Sequence, residues 1–262
     1  MEISLEGQTA LVGGSSDGIG FAIAKVLAEC GAQVVLMARN EKKLQSAMTK
    51  LAVDHGQSHS FIVTDFNNHL QHQQIMEAYF DDHQIDILVN NTNGPSAGDV
   101  FSKGTIDYQQ AFELLFQNAV YTTNLALPSM RKKSYGRIIN VSSMTVKEPS
   151  DALVLSNTMR TALVSWAKSL SNAVAKDGIT VNSILTGFFD TERLNSLMRL
   201  QAERTGLEVE KVKELKIANI PVGRLGEPEE YASLVAFLAS SYANFLTGTA
   251  IPLDGGASVG LI

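Results

Sequence analysis

Short apolar runs alternate along this chain with longer stretches whose apolar positions recur at helical spacing. Gln8 to Gly14 (QTALVGG) has no polar–apolar alternation, so it predicts a strand buried on both faces. A polar turn, SSDGIG, leads into an apolar helix, FAIAKVLAEC, that stops at Gly31. QVVLMAR predicts a second buried strand, EKKLQSAMTKLAV a charged helix, and SFIVTD a third strand ending at Asp65. A helix over about Leu70 to Phe80 precedes the fourth strand, IDILVNN, which ends at Asn91. The second half predicts a long helix over roughly Ile106 to Met130, the strand GRIINVSS and a helix after Ser150. The strand GITVNSIL, a helix over about Glu229 to Ser240 and a last strand, TAIPLDGG, complete it.

Strands alternating with helices at this spacing predict parallel βαβ units. Seven strands with interleaved helices make an α/β, doubly wound domain with helices on both faces of a parallel sheet. No Pro/Ser-rich linker, low-complexity segment or internal repeat marks a second domain, so residues 1–262 are expected to form one unit. Residues 191–217 are charged, amphipathic and broken at Gly206. An insertion after a late strand is expected to lie as a lid over the crevice at the strand carboxyl ends. A plain solvated helix pair is the alternative.

Two places carry candidate chemistry. Gly14, Gly18 and Gly20 are spaced GxxxGxG between a strand and a helix. That arrangement gives a tight turn, close approach of backbone to a pyrophosphate and free N–H groups at the positive helix end. It predicts a nucleotide site in a Rossmann-type fold. The second strand ends in Ala38 and Arg39, with no carboxylate for ribose hydroxyls and a guanidinium suited to a 2′-phosphate, so NADP is favoured over NAD. Asp17, just before Gly18, is unwelcome if it faces that phosphate. The second place is Asn140 to Leu163, where a strand opens into a loop with two adjacent hydroxyls, Ser142 and Ser143, ahead of a helix.

Composition narrows the class. Hydrophobic residues are 45% and charged residues 18% of the 262, ordinary for a protein with a substantial core. A formal charge of −6 argues against nucleic acid as the main partner. No apolar run is long enough to span a bilayer and the amino terminus is not signal-like, which predicts a soluble cytoplasmic protein. Cys30 has no second cysteine to pair with and reads as a small buried hydrophobe. The five histidines, His55, His59, His69, His72 and His83, lie between the second and fourth strands, away from the cofactor, and no ligand spacing predicts a metal.

With GGSSDGIG, VTD at 63–65, VNN at 89–91, Asn118, NVSS at 140–143, VNSILTGFFDTE at 181–192, PVGRLGEPEE at 221–230 and DGG at 254–256, the chain resembles the short-chain dehydrogenase/reductase family. It is most similar to the members called 3-oxoacyl-acyl-carrier-protein reductases. The resemblance implies that Gly14, Ser16, Gly18, Ile19 and Gly20 hold the pyrophosphate, that Asp65 reaches the adenine and Asn91 the adenosine side, and that Gly187 and Thr191 meet the nicotinamide end. It implies that Ser143 binds the substrate oxygen, that Asn118 props the proton relay, and that the protein is a homotetramer or homodimer.

The chain also departs from the family. NNAG becomes NNTN before Gly94, Gly13 stands for a Thr, and Thr186 stands for a Pro. The family's YxxxK is absent: Ser156 stands at the tyrosine position and Arg160 at the lysine position. None of the six tyrosines has Lys four residues on. A phenol near a cation titrates usefully; an aliphatic hydroxyl is a far weaker acid, and arginine stays protonated. Lys147, four residues past Ser143, is a substitute proton donor or a plain loop lysine, and Asp151 is ionisable nearby. Phe188, Phe189, Leu194, Met198, Leu153 and Val154 suggest an apolar substrate pocket or ordinary core. The expected function is NADP(H)-linked oxidation or reduction of a small alcohol or carbonyl with a non-standard acid. The alternative is a non-catalytic nucleotide-binding sensor or partner subunit. A halohydrin-cleaving relative is disfavoured, since those keep the tyrosine and lose the glycine turn.

Overall fold

The computed structural model describes residues 2–260. Strands β1 (Thr9–Gly13), β2 (Gln33–Ala38), β3 (Ser60–Val63), β4 (Ile87–Asn90), β5 (Gly136–Val141), β6 (Ile179–Thr186) and β7 (Ala250–Leu253) form one sheet. Their order is β3-β2-β1-β4-β5-β6-β7, with every neighbour parallel. The chain runs outward from β1 to β3 and then returns beside β1 with β4. The order therefore reverses at β1/β4, and a crevice opens at the carboxyl ends there.

Helices α1 (Gly18–Glu29), α2 (Glu41–Met48), α3 (His69–Asp82), α4 (Thr105–Phe112), α5 (Asn118–Lys133), α6 (Val154–Val174), α7 (Glu192–Thr205), α8 (Val209–Ala218) and α9 (Pro228–Ala239) follow the strands. Alternate strand residues feed opposite cores, which is why the runs read as continuously apolar. Ala10, Val12, Val34 and Leu36 pack with Ile23 and Leu27 of α1, Leu44 of α2 and Val235 of α9. Leu11, Val35 and Met37 pack with Met76 of α3, Met130 of α5 and Ala167 of α6. Each fully buried Leu or Val side chain contributes roughly 2 kcal/mol by leaving water.

One detail differs from the sequence expectation. The long helix is interrupted: α4 and α5 are joined by a π-helical stretch, Glu113–Gln117, that ends directly before Asn118. Such stretches recur at functional sites because they re-aim the residues that follow. Of the residues read as apolar pocket or ordinary core, those after β6 are packed as core. Leu194 and Met198 are buried with Ala202, Val212, Ile220 and Leu225 in a small core between α7 and α8, with Phe188 packed against it. Phe189 packs edge-on against Tyr231, centroids 5.3 Å apart. The chain breaks between α7 and α8 at Gly206, where φ is +69°. Among the described residues no helix is long and apolar enough to cross a membrane. Of the apolar tail GASVGLI, Val259 is exposed, while Leu261 and Ile262 lie outside the described residues.

Candidate active site

The glycine turn is shaped by contacts that no larger residue tolerates. Gly14 and Gly18 both have φ of +56°. A Cβ on Gly20 would stand 2.2 Å from the Gly14 carbonyl oxygen, and one on Gly13 2.3 Å from the Asn91 carbonyl oxygen. The Asn91 side chain donates to the Gly13 carbonyl oxygen at 2.9 Å, so it braces the turn. Ser15, not singled out from sequence, donates to the Val12 carbonyl oxygen (2.7 Å) and accepts from the Met37 N–H (2.9 Å), tying the turn to β1 and β2.

Asp17 precedes α1, but its side chain does not cap the helix. Its carboxylate accepts instead from Lys43 Nζ at 2.8 Å. No acidic residue stands in the first turn of α1, so the N–H groups of Gly18, Ile19 and Gly20 remain open to an anion, with half-buried Ser16 on the same turn. This open helix end, reached through glycines, fits a pyrophosphate.

Lys43 also changes the reading of the β2 end. It lies in the first turn of α2, where the Asn40 side chain caps its backbone N–H at 3.0 Å. Arg39 and Lys43 lie close enough for each charge to bear on the other, and Lys43 neutralises Asp17. Asp65 accepts from the Asn67 N–H (3.0 Å) and side-chain amide (2.8 Å). The backbone bond chiefly, with help from that amide and from Arg39, holds its carboxyl below the ordinary range against the effect of burial. The rim here is a cationic pair beside two engaged carboxylates, Asp17 and Asp65.

At the other end, the two hydroxyls just after β5 part. Ser142 is buried, and its Oγ has no hydrogen-bond partner among the described residues. Half-buried Ser143 accepts at Oγ from the Thr145 N–H (3.2 Å) and from Thr145 Oγ1 (3.0 Å). From α6, Arg160 Nε donates to Ser156 Oγ at 3.2 Å and Nη1 to the Val141 carbonyl oxygen at 2.6 Å. Burial lowers the Arg160 pKa to about 10, with the Tyr231 phenol opposing and the Arg193 charge adding to that shift. The guanidinium is still charged near neutrality. Lys147 is exposed just after a short 3₁₀ turn, Met144–Val146, with no ion-pair partner among the described residues.

Asn118 is buried and used at both ends. It donates to the Phe66 carbonyl oxygen at 2.7 Å, and its Oδ1 meets His69 Nδ1 at 2.6 Å. Its side chain therefore ties α5 to the start of α3. The histidines are not all remote from the site, which corrects the sequence expectation. His69 holds Asn118, and His72 lines a cavity of about 30 Å³ with Asn91, Thr92, Asn118, Val141 and Arg160. The reason is that α3 packs directly on α5 beneath the switch point. His59 is structural, bridging the Ala52 carbonyl oxygen and the Val34 N–H.

Gly187 is required by close packing, because a Cβ there would stand 2.5 Å from Asp254 Cα. Thr191 caps α7 by accepting from the Leu194 N–H at 3.3 Å. Its methyl lies 3.6 Å from where a Gly18 Cβ would be, so the start of α7 meets the glycine turn. Sequence reading also missed Tyr231: its buried phenol accepts from Thr186 Oγ1 at 3.1 Å, and burial raises its pKa well above the ordinary range. Thr186 thus gains a partner that a proline there could not make.

Residues 14–258 match the family model described as enoyl-(acyl carrier protein) reductase. The chain is 30% identical over 258 residues to the 3-oxoacyl-(acyl-carrier-protein) reductase FabG of Aquifex aeolicus (strain VF5), covering 98% of this chain and 99% of the relative. It is 32% identical over 256 residues to the NADPH-dependent reductase BacG of Bacillus subtilis (strain 168), covering 95% and 97%. Among solved structures, L-sorbose reductase from Gluconobacter frateurii complexed with NADPH and L-sorbose superposes with a TM-score of 0.92 at 29% identity, over 100% of both chains.

Proposed function

The chain belongs to the short-chain dehydrogenase/reductase family of NAD(P)-dependent oxidoreductases, and from that premise we propose that it reduces a small carbonyl compound with NADPH, using Ser143 and an arginine-held Ser156 in place of a tyrosine–lysine pair. The observation that carries this reading is the Arg160–Ser156 hydrogen bond beside the β5 end. The guanidinium occupies a lone pair of Ser156 Oγ and leaves its O–H free to donate into the crevice.

NADPH, when bound, supplies the hydride. Gly14, Ser16, Gly18, Ile19 and Gly20 hold its pyrophosphate at the α1 terminus, while Arg39 and Lys43 favour the 2′-phosphate. Asp65 and Asn91 stand on the adenosine side, and Gly187 and Thr191 at the nicotinamide end. As negative charge grows on the substrate oxygen, Ser143 and Ser156 donate hydrogen bonds to it. Ser156 passes its proton to that oxygen, Arg160 stabilises the serine alkoxide, and Lys147 or solvent returns the proton. Asn118 acts by fixing α5 against α3. Residues 191–217, which carry α7 and nearly all of α8, form the lid on the substrate side, and the assembly is a homotetramer or homodimer.

The relatives' named activities, on 3-oxoacyl carriers and on a ketose, support a carbonyl substrate of modest size. The test is oxidation of NADPH by the purified protein with a panel of ketones, quinones and 3-oxoacyl thioesters. Turnover with at least one is expected. Tight NADPH binding with no turnover by any member leaves a cofactor-binding sensor or partner subunit instead.

A further inference from the structure

Among the described residues neither Arg160, Arg193 nor Lys147 forms an ion pair. Of the acids nearby, Asp151 and Asp190 are exposed and form no ion pair among the described residues, and three others are engaged elsewhere. Glu192 pairs with Arg199, Asp254 accepts from the Gly256 and Ser258 N–H groups at 2.9 Å each, and Glu148 accepts from the Val259 N–H at 2.8 Å. Arg160 uses Nε and Nη1 on Ser156 and the Val141 carbonyl oxygen, and Nη2 has no acceptor among the described residues.

Arg193 comes from the other wall. It stands in the first turn of α7 and donates from Nη2 to the Pro95 carbonyl oxygen at 3.1 Å. The same nitrogen would lie 3.2 Å from a Cβ on Gly94. Thr92, two residues before Gly94, lines the cavity that Arg160 also lines. The loop after β4 is therefore flanked by one guanidinium from α6 and one from α7. Arg193 contributes to the lowered pKa of Arg160, and burial lowers its own. Arg160 is half-buried and Arg193 exposed, and neither guanidinium forms an ion pair among the described residues, so an anion at this loop would meet two cations with N–H groups to spare.

We infer that Arg160 and Arg193 form an anion subsite, and that the substrate is an oxo acid whose carboxylate binds there with its carbonyl toward Ser143. This rests on the carbonyl-reductase reading and names its substrate class. A guanidinium N–H to a carboxylate oxygen is among the stronger hydrogen bonds available to a protein. Arg193 on the lid would close that lid onto the bound carboxylate.

The test measures binding, so it does not depend on turnover. The protein is saturated with NADP⁺, and titration calorimetry follows 3-oxobutanoate, 2-oxobutanoate and the ethyl ester of each. At least one acid is expected to bind about tenfold or more tightly than its ester, and Arg193→Gln to remove that difference while leaving the ester's affinity and the melting temperature in place. Ester affinities equal to or above those of the acids for both pairs overturn the inference. So does an Arg193→Gln protein that keeps the acid preference and instead binds NADPH more weakly, which would assign Arg193 to the cofactor pyrophosphate. Failure of the carbonyl-reductase reading shows separately, as absence of NADPH oxidation.

Discussion

Arg160 reaches back one helical turn to Ser156, Nε to Oγ at 3.2 Å, while its Nη1 is fixed on the Val141 carbonyl oxygen at 2.6 Å. One cation thus ties the start of α6 to the end of β5 and orients a hydroxyl between them. Replacing Arg160 by Ala frees Ser156 and, on the proposed mechanism, removes the charge that would stabilise its alkoxide. The expected outcome is a loss of about 100-fold in kcat. Arg160→Lys recovers only part of it, because an ammonium has no planar fork to span both partners. Single-turnover NADPH oxidation checks both variants.

Arg39 and Lys43 are expected to set cofactor choice. Lys43→Ala removes a cation and also frees the Asp17 carboxylate it holds at 2.8 Å. NADPH affinity is expected to fall about tenfold or more while NADH affinity changes little, and the NADPH loss shrinks in high salt. Fluorescence titration with the two cofactors measures it.

His72 gives the stability a defined acid dependence. Its ring is fully buried between Thr64 (3.2 Å) and Thr122 (3.1 Å). Burial first, and the His69 charge second, lower its pKa from 6.5 to about 4. The unfolded chain takes up this proton near 6.5 and the folded chain only near 4. The contribution is therefore present in full above the unfolded value and is lost as pH falls through that window, amounting to about 3 kcal/mol. Urea unfolding at intervals between pH 7.5 and 4 is expected to show a steeper decline for the wild type than for His72→Gln.

Asn118→Ala leaves the Phe66 carbonyl oxygen and His69 without their buried partner. A loss of about 2–3 kcal/mol in folding stability is expected, alongside lower activity. Asn118→Asp preserves the acceptor for His69 and loses the donor to Phe66, so it separates the two bonds. Equilibrium denaturation reads both.

Much of the fold was legible in the sequence because parallel strands covered on both faces, such as β1 and β5, produce uninterrupted apolar runs. The glycine turn was legible because Gly14, Gly18 and Gly20 each answer a positive φ or a close backbone approach that substitutes cannot meet, whereas the need for Gly13 appears only in its approach to Asn91. What could not be read was side-chain pairing across elements. Lys43 neutralises Asp17 from a different helix, 26 positions away, and no periodicity carries that signal. His69 and His72 looked distant because α3 follows an outer strand, whereas its packing on α5 returns them to Asn118 and the cavity. The apolar residues after β6 had the composition of a pocket, but α7 and α8 needed them for a core of their own. Thr186 and Tyr231, 45 positions apart, likewise make sense only once α9 is laid on β6.

The central claim is that Ser156 carries the proton that a tyrosine carries in the family. The most direct measurement is the pH dependence of kcat for the wild type, Ser156→Ala and Lys147→Ala, with NADPH and the best substrate of the panel. Ser156→Ala is expected to lose about 100-fold or more in kcat across the range with NADPH affinity retained, and Lys147→Ala to lose much less. Wild-type kcat and an unchanged profile in both variants would contradict the account.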